Sequence, residues 1–120
     1  MAPLTDPARL EAYKDALGNW SFDEYIQFEL TETAYEWIKR ELSNISLKEI
    51  GRLMYDYVEA GGKIDEVPET RPGWSDEFEF HYDLRFTIRD KPVYIETRLK
   101  YQLPVVPDDS VILVVNVHEP

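Results

Sequence analysis

The chain has 120 residues, with 13 Lys and Arg against 24 Asp and Glu, no Cys, 43% hydrophobic and 13% aromatic residues. That length suits one domain spanning residues 1–120, and an ordinary apolar fraction argues against wholesale disorder despite a net charge of −11. The lack of cysteine excludes disulfides, thiolate metal sites and a thiol nucleophile, while the acidic balance opposes non-specific binding of nucleic acid, whose phosphates it would repel.

The opening segment Met1 to Pro7 lacks the basic and apolar regions of a signal peptide. The longest apolar run, Val111 to Val115, falls far short of the ~20 residues that span a bilayer. No membrane association is therefore expected, and a cytoplasmic location follows by elimination. The sequons at Asn19 and Asn44 carry no weight without secretion, and their serines, Ser21 and Ser46, have the better reading of helix caps.

Residues 1–62 read as a helical half. Thr5 or Asp6 caps a first helix with Pro7 in its opening turn, and Leu10, Tyr13 and Leu17 share a stripe before Gly18. Ser21 and Glu24 have capping-box spacing, followed by Ile26, Leu30, Ala34, Ile38 and Leu42, as one long helix or two broken near Thr31. Ser46 and Glu49 repeat the box, with Leu47, Ile50, Leu53, Met54, Tyr57 and Val58 as an apolar face and Gly61-Gly62 as the stop.

Residues 63–120 read as a sheet half. A short strand from Ile64 to Val67 ends at Pro68, and Arg71-Pro72-Gly73-Trp74 is turn chemistry. Phe78, Phe80, Tyr82, Leu84, Phe86 and Ile88 then alternate with polar residues, the signature of one long strand with a buried face. An Asp90-Lys91 turn leads into a strand from Pro92 to Tyr101, a proline-bounded loop with a solvated turn at Asp108-Asp109-Ser110, and a last strand, Val111–His118, apolar enough for burial on both faces. That turn would place Phe86 opposite Ile95, Arg85 opposite Glu96 and Asp83 opposite Arg98, with opposite charges facing. The expected fold is α+β: N-terminal helices on one face of a three- to four-stranded antiparallel meander, with the Phe78–Ile88 apolar face against Leu53, Met54 or Tyr57.

Charge is uneven along this half. Asp65, Glu66, Glu69, Asp76, Glu77 and Glu79 face Arg71 alone up to Phe80, whereas Arg85, Arg89, Lys91, Arg98 and Lys100 make the hairpin a basic island. Its polar face collects His81, Asp83, Arg85, Tyr94, Glu96 and Arg98. If the last strand brings His118 beside Tyr94, Asn116 lies near Glu96 and an acid–base constellation able to act on a phosphodiester forms. His81 and Asp83 could chelate a metal with Glu96 or His118, but no recognised ligand spacing appears, so no metal and no cofactor is assigned. Nucleophile-elbow and phosphate-loop motifs are absent. The simpler reading of the same face is a solvated sheet surface. Trp74, flanked by Arg71 in a turn, is either a binding or pocket-rim residue or a plug for one end of the core.

The Gly61-Gly62 helix stop, the strand around His81–Arg85 and the last strand ending at His118 loosely resemble the small ribonuclease toxins of bacterial toxin–antitoxin systems. The same element order resembles cystatin-like helix-on-sheet binding modules. Two functions are thus expected in order: a non-catalytic binding or regulatory module, and a metal-independent ribonuclease. In the first, the partner is a basic protein or a second copy, paired through an edge strand or the Val111–Val117 run. In the second, His118 or His81 serves as base, Glu96 as its partner, Tyr94 lies alongside, and Arg85 and Arg98 stabilise the phosphoryl charge. Nucleic acid is a partner only in that case.

Overall fold

Capping chemistry sets the first and third helices. α1 (Pro7–Gly18) begins after Asp6, whose side chain accepts from the Arg9 amide at 3.0 Å, with Pro7 where its missing N–H is not needed. α3 (Leu47–Glu59) begins after Ser46, which accepts from the Glu49 amide at 3.1 Å, and it buries Ile50, Met54 and Val58. Glu49 does not complete a capping box; its carboxylate pairs with Arg52. Gly61, at φ 92°, ends the chain's helical course after α3. The computed structural model describes residues 2–22, 24–100 and 110–120.

The middle of the N-terminal half departs from the expected helix. No helix starts at Ser21. Instead Ile26–Phe28 forms β2, and α2 (Glu32–Glu41) starts after Thr31, whose hydroxyl accepts from the Ala34 amide at 3.1 Å. The β-branched and aromatic residues of this stretch gain more by pairing parallel to β6 (Val111–His118), Ile26 opposite Ile112 and Phe28 opposite Val114, than by continuing a helix.

The expected antiparallel meander of three or four strands is therefore corrected to a six-stranded mixed sheet among the described residues. Its order is β1-β3-β4-β5-β6-β2, where β1 is Ala2–Pro3, β3 Asp65–Pro68, β4 Phe80–Ile88 and β5 Lys91–Lys100. The meander survives as the antiparallel centre β3-β4-β5-β6. The N-terminal half supplies both edges, β1 antiparallel to β3 and β2 parallel to β6. Two- and three-residue strands are too short to show an alternation. With β6 flanked by β5 and β2, the Val111–Val117 run is interior, not a sheet edge. The expected extension of β5 to Tyr101, the proline-bounded loop and the Asp108-Asp109 turn lie outside the described residues; Ser110 is buried.

The hairpin turns one residue earlier than the sequence suggests. Arg89 and Asp90 both take left-handed φ, 51° and 65°, as a two-residue primed turn requires. Arg89 donates to the Leu42 carbonyl at 2.7 Å and Lys91 pairs with Glu41 at 3.1 Å, so the turn is fastened to the end of α2. Pairing consequently moves by two: Phe86 faces Val93, Leu84 faces Ile95, Asp83 faces Glu96 and Arg85 faces Tyr94. A slip of two keeps every residue on its face, so the buried alternation stands while the expected Arg85–Glu96 and Asp83–Arg98 pairs do not.

The helices cover one face of this sheet. Tyr82, Leu84, Ile88, Val93, Ile95, Ile112, Val114 and Val117 pack with Tyr13, Leu17 and Met54, and Phe86 stacks on Tyr57 at 4.7 Å between ring centres. Phe78 is not part of that face. It precedes β4 and packs with Val111, Leu113, Val115 and Trp74 in a smaller cluster. A bulge makes both burials possible: Glu96 pairs with Asn116 but Thr97 with Val114, leaving Val115 as the extra residue. Val111, Leu113 and Val115 thus join the second cluster while Ile112, Val114 and Val117 join the first.

Candidate functional site on the outer face of the sheet

Pairing lays the polar side chains out in rows across the strands. Asp65, Asp83, Glu96 and Asn116 form one row over β3, β4, β5 and β6; Arg85, Tyr94 and His118 form the next. The juxtaposition of His118 with Tyr94 and of Asn116 with Glu96 is the one the sequence suggested. The face itself is neither an open surface nor a single constellation. It divides into a covered part and an accessible part.

The covered part lies under the segment 69–78. Arg98 is 0% exposed, with Nη1 2.9 Å from Glu96 Oε2 and Nη2 2.5 Å from Glu69 Oε2. Arg71 pairs with Glu96, and its amide donates to Glu69 at 3.0 Å. The Trp74 ring lies 4.9 Å from the Arg98 guanidinium and 5.9 Å from the Phe78 ring. Trp74 is thus a plug for this outer cluster, and Arg71 is a clamp on two carboxylates. Burial would raise Glu96 and Glu69, but Arg71 and Arg98 outweigh it and hold both carboxyls below their usual range. Two acids and two arginines balance here, with Glu69, Glu96 and Arg98 buried and Arg71 reaching solvent.

The accessible part holds the imidazoles. His81 donates from Nδ1 to Asp83 Oδ1 at 2.8 Å, and Asp83 is 2% exposed. Burial first, then the charges of Asp83 and Glu96, pushes the Tyr94 phenol up. Arg85 pairs with Asp65 at 2.7 Å and lies 4.8 Å over the Tyr94 ring, whose other neighbour is His118 at 4.8 Å. His118 donates from Nδ1 to the Glu119 carbonyl at 2.5 Å. An imidazole that donates from Nδ1 in this way carries, when neutral, its lone pair on Nε2, the form a general base needs. Among the described residues no group of three His, Asp or Glu is placed to hold a metal ion, so Glu96 and His118 do not join His81 and Asp83 as ligands.

Of the sequence-predicted residues, Arg85, Tyr94 and His118 come together and His81 pairs apart from them with Asp83, whereas Glu96, Arg98, Arg71 and Trp74 form the covered network. Glu69, which holds Arg71 and Arg98, and Asp65, which holds Arg85, were missed as site residues: a lone acid beside a proline or in a four-residue strand carries no periodic signal. A cleft of about 480 Å³ was also missed; it joins Asn116 and His118 to Thr31, Glu32, Glu36, Trp37 and Arg40 of the α2 segment. No helix among the described residues is long and apolar enough to cross a membrane. No protein-family model matches the chain, and neither a curated protein nor a solved structure is found similar to it.

Proposed function

We propose that the protein is a non-catalytic binding or regulatory module whose acidic surface takes a basic protein partner. The fate of its cations carries this reading. Arg71, Arg85 and Arg98, the groups a phosphate would use, are each held by carboxylates of the same chain. Arg9, Arg52, Lys63 and Lys91 are engaged in the same way. Exposed acids remain in excess, with Asp76, Glu77 and Glu79 beside the Trp74 turn and Glu24, Glu29, Glu32 and Glu36 along β2 and α2. At a net charge of −11 such a surface attracts cationic partners and accelerates their association at low salt.

The test is an NMR titration of the labelled protein with oligolysine, oligoglutamate and a short RNA at low and high salt. The reading expects saturable binding of oligolysine alone, weakening at least ~10-fold between about 50 and 500 mM salt, with shifts on the exposed acids. Saturable RNA binding that shifts Arg85, Tyr94 and His118 would overturn it.

A second reading, metal-independent RNA cleavage, is favoured by the stack of Arg85, Tyr94 and His118 and by the His81–Asp83 pair on the same face. In it His81 or His118 takes the 2′-hydroxyl proton and Arg85 stabilises the phosphoryl oxygens. Glu96 and Arg98, given roles in that reaction by the sequence, are committed to each other. RNA left equally intact by the protein and by His118→Ala removes this reading.

A further inference from the structure

The sheet ends at β2 in an edge that differs from its opposite. Ile112 donates to the Tyr25 carbonyl and Glu29 donates to the Val114 carbonyl, both at 2.9 Å, so the odd-numbered backbone groups face β6. By the two-residue period of a strand, the N–H and C=O groups of Ile26 and Phe28 face away from the sheet. Beside them runs a groove of about 360 Å³ lined by Trp20, Ile26, Phe28, Leu47 and Gly51. A Cβ at Gly51 would come within 3.3 Å of Ile26 Cδ1, so glycine keeps the α3 wall of the groove flush. Phe22, 61% exposed, stands just before this strand against Tyr25, apolar surface that the fold leaves uncovered.

Charge says what would cover it. Glu24 and Glu29, both exposed, bracket the strand, and Glu32 follows. Lys48, the one cation among the described residues lining the groove, is itself engaged in a polar or electrostatic contact. At the other end of the sheet β1 offers only Ala2 and Pro3, the latter without an N–H, and the cleft beside it is lined by Lys14 and Lys63. A second copy would bring another net charge of −11 to the acidic edge.

We infer that the β2 edge and its groove dock an extended segment of a partner protein, with apolar residues in the groove alternating with Lys or Arg, added to the sheet as a further strand. The inference rests on the acidic-binder reading and names where that binder takes hold. Backbone pairing supplies the affinity, the groove reads every second side chain, and the bracketing glutamates select for positive charge.

The experiment uses the full chain and a synthetic peptide of alternating Lys and Val. Its controls are oligolysine and the same peptide N-methylated at alternate residues, which keeps the charge but removes strand addition. The alternating peptide is expected to bind at least ~10-fold more tightly than its N-methylated form and to slow amide exchange at Ile26 and Phe28. Glu24→Lys with Glu29→Lys should weaken it by about tenfold while the melting curve stays in place. Equal affinity for the N-methylated peptide, or shifts confined to other acids, would refute docking at β2 and leave the acidic-binder reading standing. No saturable binding of any basic probe would remove both. Protection of Ile26 and Phe28 by self-association, without peptide, would give the edge to a second copy and overturn the inference.

Discussion

Arg98 is the largest wholly buried side chain among the described residues, and its setting explains why it is tolerated. An isolated guanidinium in an apolar interior is costly; here Glu69 and Glu96 take opposite charge to it and the Trp74 face covers it. Removing the cation alone leaves two buried acids with only Arg71. Arg98→Met should therefore destabilise the fold by about 3–5 kcal/mol in urea titrations, and adding Glu69→Gln and Glu96→Gln should recover most of that loss. The same network fixes the acid limb. Glu69 and Glu96 are held below their usual 4.5, so the stability they contribute is complete above that pH and is lost as pH falls through their lower folded-state values. Trp74 fluorescence followed downward from pH 5 should change together with stability, and Glu96→Gln should flatten the fall.

Elements show what local chemistry specifies and what it leaves open. The turn at Arg89-Asp90 demands two left-handed residues, so Asp90→Val should cost about 1–2 kcal/mol whereas Asp90→Gly should be accepted, as thermal melts of the two would show. α1 and α3 were legible from Asp6 and Ser46 because capping is chemistry between residues three apart. β4 was legible from its alternation, whereas the facing of His118 with Tyr94 entered only as a condition on how the last strand pairs, and that pairing is the one observed. The hairpin register was not, because turns at 89–90 and 90–91 give the same faces and differ only in partners. β2 was unreadable for a different reason: Ile26 and Phe28 become a strand through residues at the far end of the chain. The covered half of the site was hidden by its lid. The stretch from Glu69 to Phe78 has the composition of a solvated turn, and only the outward-facing Val111, Leu113 and Val115 give it something to cover.

At the scale of the whole molecule, the proposed function rests on where charge is spent. Buried Arg98 and exposed Arg71 and Lys91 hold the outer face, the Trp74 turn and the hairpin by ion pairs, and the surplus of acids is left outside. Ion pairing thus serves the fold, and in the proposed reading the exposed field serves association. The most direct test of this division is to incubate the protein with a labelled RNA strand and follow both its binding and its integrity. The account predicts that the strand stays unbound at moderate salt and uncut, with His81→Ala and His118→Ala indistinguishable from the unsubstituted protein. Cleavage that scales with protein concentration and is lost in either variant would contradict it.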